Sequence, residues 1–187
     1  LNEVRTLIEG GAREITLLGQ NVDAYGKDLK NGYGFASLLA DAAALPGLER
    51  LRFATSHPKD FDADILDVMR DNPTICRAIN LPVQSGSDRI LREMNRGYTS
   101  GQYLELVDRI KTALPDVSLT TDLIVGFPGE TEEDFRDSYR LLETVKFDIV
   151  HTAAYSPREG TRAAVMDGQI DNRVKAARRN ETNALQA

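Results

Sequence analysis

The sequence predicts an α/β fold: part of a (β/α)6 barrel, a parallel sheet with outer helices, lacking its first strand. Three observations predict it. Short apolar runs of β type alternate with segments of helical spacing along the whole chain. The runs are near-continuous in apolar residues, as in a parallel sheet covered by helices. The chain opens on a helix with no strand before it. A β/α barrel does not begin that way, so at least one strand is expected upstream, within a larger protein.

The elements follow in order. Residues 1–9 carry apolar side chains at Leu1, Val4, Leu7 and Ile8, which is helical spacing, and Gly10-Gly11 stops them. Glu14 to Gly19 is a β-type run ending in Gln20-Asn21. A polar loop leads to a helix over Phe35 to Leu45, closed by Pro46-Gly47. Leu51 to Thr55 is the second strand and ends in Ser56-His57-Pro58. Asp62 to Arg70 is a helix with Ile65, Leu66 and Met69 on one face. Ile79 to Val83 is the third strand, followed by helices over Asp88 to Met94 and Gly101 to Leu114. Ser118 to Val125 is the fourth strand and ends in Gly126-Phe-Pro-Gly129. Thr131 and Asp134 have the spacing of a capping box, which opens a helix reaching Val145. Phe147 to Tyr155 is the fifth strand, and a charged helix from Asn172 ends the chain.

Composition sets the bounds. The 187 residues suit one domain, and 41% hydrophobic with 28% charged residues is ordinary for a globular protein. No apolar run reaches transmembrane length and no signal peptide opens the chain, so the expected setting is cytoplasmic. The single cysteine, Cys76, excludes an internal disulfide and a cysteine-ligated cluster built from this chain alone. The net charge of −6 is not that of a domain that grips nucleic acid unaided. Basic residues are spread out except in the run 173–179, so the phosphate contacts of any RNA substrate are expected to come from elsewhere.

In parallel α/β proteins, ligands bind at the carboxyl ends of the strands. Here those ends carry Gly19-Gln20-Asn21, Thr55-Ser56-His57, Gln84-Ser85, Asp122 with Gly126, and Tyr155-Ser156. Any one such turn is explained by loops being polar; the recurrence at every strand end points to a ligand. Asp122 lies inside an apolar strand, where a carboxylate needs a partner. Either a structural salt bridge or a hydroxyl-rich ligand answers that need. Arg96, at the far end of the helix after the third strand, offers a guanidinium. Gly126 and Gly129 suit close approach of a ligand to the backbone, or simply a turn. His57, extended before Pro58, is expected to stabilise its turn. Cys76 reads as a packing thiol, and Asp60, Asp62 and Asp64 read as the front of a helix rather than a metal site.

These residues sit in longer motifs. LLGQNVDAYG (17–26), RFATSHPKDF (52–61), LPVQSGSDRILREMNRGYT (81–99), TTDLIVGFPGETEEDF (120–135) and YSPREGT (155–161) resemble the radical-SAM methylthiotransferases. The match runs in order through nearly the whole chain. It is nearest to the branch that modifies adenosine 37 of tRNA, the MiaB family. VQSGS followed by MNRGYT, with TSHP and YSPREGT, is similar to the tRNA isopentenyladenosine enzymes. The threonylcarbamoyladenosine tRNA enzymes share QSG, and the ribosomal protein S12 enzymes tend to carry His after the corresponding Gln.

The resemblance implies a fold, the TIM-like radical-SAM barrel, and a chemistry. A [4Fe-4S] cluster on three cysteines binds and reduces S-adenosyl-L-methionine (SAM), and the resulting radical takes hydrogen from C2 of the adenine. A second cluster on an N-terminal domain delivers sulfur, and a second SAM the methyl group. Electron and sulfur donors are implied as partners beside tRNA. By position, Gly19, Gln20 and Asn21 stand where such barrels hold the SAM amino group. Thr55 lies at the next strand end. Gln84 and Asp122 fall near the ribose, Arg96 matches a residue that meets the SAM carboxylate by bidentate geometry, and Tyr155 borders the adenine.

One departure matters. The CxxxCxxC motif of the family is absent from these residues, and Cys76 is in the wrong place to be a ligand. The N-terminal methylthiotransferase domain and the C-terminal TRAM domain are absent too. Residues 1–187 are therefore expected to be part of one radical-SAM core domain, without a catalytic residue or metal ligand of their own and inactive alone. A different class remains beside this one: a non-catalytic module that keeps a SAM- or protein-binding face.

Overall fold

The computed structural model describes residues 1–29, 32–54 and 56–186. They group into two compact units: residues 1–81 with 108–119, and residues 82–107 with 120–186.

In the first unit, helix α1 (Asn2–Glu9) precedes strand β1 (Glu14–Leu18). Gly11, at φ +97°, makes the turn between them, a conformation that glycine adopts freely. A 3-10 turn at Val22–Ala24 follows β1. Helix α2 (Phe35–Ala43) buries Phe35, Leu39 and Ala42, a face of 3-4 spacing. Strand β2 (Arg50–Ala54) runs parallel to β1, with Glu14 opposite Arg50 and Leu18 opposite Ala54. Helix α3 (Ala63–Asp71) is capped by Asp62, whose carboxylate accepts the Asp64 N–H at 3.4 Å. Its Ile65, Leu66 and Met69 are buried with Leu39, Leu51, Ile75 and Ile79.

Strand β3 (Ala78–Asn80) is shorter than the apolar run predicts. Pro82 has no N–H to give a ladder, and Gln84 turns to φ +67°. In the second unit the extended path is held by other means. The Val83 N–H bonds Thr121 Oγ1 at 2.9 Å, and the Tyr98 hydroxyl donates to the carbonyls of Pro82 and Val83 at 3.3 and 3.1 Å.

Helix α4 (Asp88–Glu93) is capped by Ser87, whose Oγ accepts the Ile90 N–H. It ends in a Schellman turn: Asn95 is left-handed at φ +55°, its N–H bonds the Arg92 carbonyl, and the Arg96 N–H bonds the Leu91 carbonyl. Helix α5 (Ser100–Ala113) and strand β4 (Ser118–Val125) follow. In β4, burial alternates strictly: Leu119, Thr121, Leu123 and Val125 are buried, while Ser118, Thr120, Asp122 and Ile124 are half-buried. The strand is thus not closed in equally on both faces.

Helix α6 (Glu132–Val145) carries the expected capping box, with Thr131 Oγ1 accepting the Asp134 N–H and Asp134 accepting the Thr131 N–H. Strand β5 (Ile149–Ala154) pairs parallel with β4, Asp122 opposite His151 and Val125 opposite Ala154. Helix α7 (Asn172–Leu185) is capped by Asp171. Among the described residues no helix is long and apolar enough to cross a membrane.

Candidate functional site

In the first unit the carboxyl ends of β1 and β2 meet around two carboxylates. Gly19 and Gln20 are exposed and Asn21 is half-buried. Gly19 and Asn21 line a groove of about 670 Å³ with Val4, Leu7, Ile15 and Val22. Asn21 does not cap the 3-10 turn after it. Its Nδ2 instead donates to Asp60 at 2.7 Å, and its Oδ1 is buried without a partner among the described residues. Asp60 also pairs with Lys27 at 2.5 Å, and that hydrogen bond holds its carboxyl below the ordinary carboxylate value.

Asp23 is 4% exposed. It accepts the Ser56 hydroxyl at 3.2 Å and the His57 N–H at 2.8 Å, so one side chain ties the β1 exit to the β2 exit. Burial pushes its carboxyl up to about 6, against both hydrogen bonds. Asp23 is not among the residues the sequence singles out; its one signal there is a carboxylate two residues beyond Asn21. Thr55 lies outside the described residues. His57 Nδ1 accepts the Lys59 N–H at 3.3 Å, the turn-stabilising role its place before Pro58 suggested.

In the second unit Gln84 and Asp122 are brought together through the backbone. The Gln84 N–H bonds the Asp122 carbonyl at 2.9 Å, and the Ile124 N–H bonds the Gln84 carbonyl at 2.9 Å. A left-handed glutamine is an uncommon backbone state, of the kind concentrated at ligand sites. Arg96 is placed by the Schellman turn, and its Nε is buried without a partner among the described residues. Tyr155 continues the β4–β5 ladder, its N–H bonding the Val125 carbonyl at 2.9 Å. Its ring meets Phe127 edge-on at 5.4 Å, and its hydroxyl is buried without a partner among the described residues.

The rest of the QSGS turn is structural. The Gly86 N–H bonds Ser138 Oγ at 2.8 Å, and Ser87 Oγ donates to Asp134 at 2.6 Å. A Cβ on Gly86 would stand 2.6 Å from the Asp137 carbonyl oxygen and 2.6 Å from Ser138 Cα, so only glycine lets this loop lie on α6. Burial pushes the Asp134 carboxyl up, but Arg89, Ser87 and Thr131 outweigh it and hold the group well below the ordinary range. Glu130, also missed in the sequence, accepts the Gly126 N–H at 2.6 Å and Arg178 Nη1 at 2.7 Å. Burial raises its carboxyl above the ordinary value in spite of both.

Buried polar atoms normally have partners. Among the described residues six do not: Glu130 Oε1, Thr152 Oγ1 and Arg178 Nε, and, at positions predicted to bind a ligand, Asn21 Oδ1 after β1, Arg96 Nε after α4 and Tyr155 OH after β5. On the first unit the Asn21 acceptor suits an ammonium, and on the second the Arg96 guanidinium suits a carboxylate. A metal is a different matter: among the described residues no three His, Cys, Asp or Glu side chains are placed to hold one, and Cys76 is a lone half-buried thiol.

Comparison with known proteins gives a consistent picture. The model of the radical SAM superfamily matches residues 1–142. The tRNA-2-methylthio-N(6)-dimethylallyladenosine synthase of Caldicellulosiruptor saccharolyticus is 52% identical over 94% of the chain and 37% of its own length. That of Carboxydothermus hydrogenoformans is 51% identical over 100% of the chain and 42% of its own length. The chain thus spans about 40% of the length of the curated relatives it matches. Among solved structures, the radical SAM enzyme coproporphyrinogen III oxidase of Escherichia coli superposes with a TM-score of 0.71 at 20% identity, over 98% of this chain and 43% of that one. Methylornithine synthase superposes at 0.64 and 16% identity, over 99% of this chain and 52% of that one. At such identities the superpositions speak for the fold alone.

Proposed function

Because the chain belongs to the radical SAM superfamily, we propose that residues 1–187 are part of the radical-SAM core domain of a tRNA methylthiotransferase, which adds a methylthio group to C2 of N6-isopentenyl (dimethylallyl) adenosine at position 37 of tRNA. One observation carries the reading: 51–52% identity through essentially the whole chain to synthases of that name. The partners are tRNA and donors of sulfur and electrons, in a cytoplasmic setting.

The cofactors of such an enzyme are SAM and [4Fe-4S] clusters. Together they supply the radical chemistry at an unactivated C–H bond. Each unit, taken by itself, offers groups that fit a part of SAM. On the first unit the candidates are Gly19, Gln20 and Asn21, the Asn21 Oδ1 being an acceptor without a partner among the described residues and suited to an ammonium. On the second unit they are Gln84, Arg96, Asp122 and Tyr155. Arg96 Nε is a donor without a partner among the described residues and suited to a carboxylate. Asp122 offers acceptors suited to ribose hydroxyls, on the less buried face of β4. Thr55 joins the candidates on the ground of its motif alone. The residues present do not fit a cluster: one cysteine cannot provide three thiolates. No step through a cluster is therefore assigned to this chain, and residues 1–187 alone are inactive.

The test is nucleoside analysis. The full-length protein, anaerobically reconstituted, is incubated with SAM, a sulfur source, a reductant and, in separate reactions, isopentenyladenosine tRNA, threonylcarbamoyladenosine tRNA and ribosomal protein S12, and the digests are read by mass spectrometry. Methylthio-isopentenyladenosine is the expected product. A methylthiolated threonylcarbamoyladenosine, or modified ribosomal protein S12, would move the protein to a sister branch. No methylthiolated product from any of the three would sink the reading.

A further inference from the structure

Helix α7 lies beyond residues 1–142, the part matched by the superfamily model, yet it reaches the loop between β4 and α6. Lys175 and Arg178 are three apart and therefore on one face of α7. They are 5% and 7% exposed, unusual values for basic residues. Arg178 Nη1 donates to Glu130 Oε2 at 2.7 Å and to the Glu130 carbonyl at 3.3 Å. The same Oε2 accepts the Gly126 N–H at 2.6 Å. One carboxylate thus ties both ends of the loop Gly126–Glu130, and α7 ties the carboxylate. The middle of the loop is held by the Gly129 N–H on the Gly168 carbonyl at 2.8 Å.

Lys175 grips the other side. A Cβ on Gly126 would stand 2.4 Å from Lys175 Cγ, so the space a side chain would take at the end of β4 is filled by the lysine stem. The ammonium then donates to the Tyr155 carbonyl at 3.1 Å and stands 5.5 Å from the centroid of the Tyr155 ring. A buried ammonium held by a carbonyl and an aromatic face is a costly way to end a strand. The cost is intelligible if the position of that strand end matters.

We propose that Lys175 and Arg178 are positioning residues for SAM: they hold the loop Gly126–Glu130 and the end of β5, with Tyr155, in the arrangement that receives the cofactor. The inference rests on the SAM reading above and assigns to α7 a share of the affinity. The groups that hold a ligand-binding residue set how well it is preorganised.

The test is calorimetric titration of SAM into the reconstituted full-length protein, reading affinity and the number of sites separately. Wild-type protein that binds no SAM would overturn the SAM reading itself. If the wild type binds, Lys175→Met and Arg178→Gln are expected to weaken SAM about tenfold while keeping one site per chain, and Arg178→Lys to recover most of the loss. A merely structural role would lower the number of sites and leave the affinity of the rest unchanged. That result, or affinities within about twofold of wild type, would overturn the inference. Should Lys175→Met fail to fold, the Arg178→Gln and Arg178→Lys pair decides it by the same reading.

Discussion

At the scale of the residue, Asp23 shows how much one buried carboxylate can carry. It closes the exits of β1 and β2 by accepting Ser56 and His57, and burial raises its carboxyl from 3.8 to about 6. A carboxyl raised in the folded state contributes most to stability below its ordinary value. The contribution is lost as pH rises through about 6. Asp23→Asn removes the titration. Relative to that variant, the wild type is therefore expected to lose up to about 3 kcal/mol between about pH 4 and about pH 7. Urea unfolding of both proteins across that range measures it, and parallel stability curves would refute it. Gln84, half-buried, matters through its backbone instead. Its left-handed backbone is fixed from both sides by β4, leaving the side chain as what the position offers.

At the scale of the element, the QSGS turn and the start of α6 form one interlocked piece. Gly86 lies on the backbone of α6, Ser138 reaches back to the Gly86 N–H, and Asp134 serves Thr131, Ser87 and Arg89 at once. Thr131→Ala, which removes the hydroxyl that accepts the Asp134 N–H, is expected to cost about 1–2 kcal/mol. Gly86→Ala is expected to cost more, about 2–3 kcal/mol or higher, because the methyl group meets backbone rather than a flexible side chain. Denaturant midpoints at constant slope rank the two. Equal losses, or a harmless Gly86→Ala, would mean that the loop can lift off the helix. The capping box was legible because its two partners are three residues apart. The role of Gly86 was not, since its neighbours are 52 positions away along the chain.

At the scale of the whole molecule, charge bears on the substrate. The net charge is −6, and in the run 173–179, where basic residues cluster, Lys175 and Arg178 are turned inward. Residues 1–187 by themselves are therefore expected to bind tRNA no more tightly than about 10 µM at physiological salt, the range of non-specific contact. Filter binding over a salt series checks this. Saturable binding tighter than about 1 µM would show an RNA-gripping surface that the charge distribution does not suggest.

The order of helices and strands, many of their caps and stops, and the places of Asn21, Gln84 and Tyr155 at strand ends, of Asp122 within its strand and of Arg96 after its helix were readable in the sequence. Each rests on periodicity, on a local hydrogen-bonding choice or on a contiguous motif. The family was readable for the same reason, since its motifs are unbroken runs. Boundaries were less so: β3 stops at Asn80, two residues into its run, because Pro82 and a left-handed Gln84 outvote apolar content. Only the tertiary structure decided what those motifs do. Tyr98 and the Gly-Ser of QSGS turned out to hold backbone, Glu130 to tie a loop at both ends, and Lys175 to fill the place left by Gly126. The physical reason is range. A cap or a turn is satisfied by near neighbours, whereas a buried charge or a close backbone approach is defined by partners that folding brings from elsewhere in the chain.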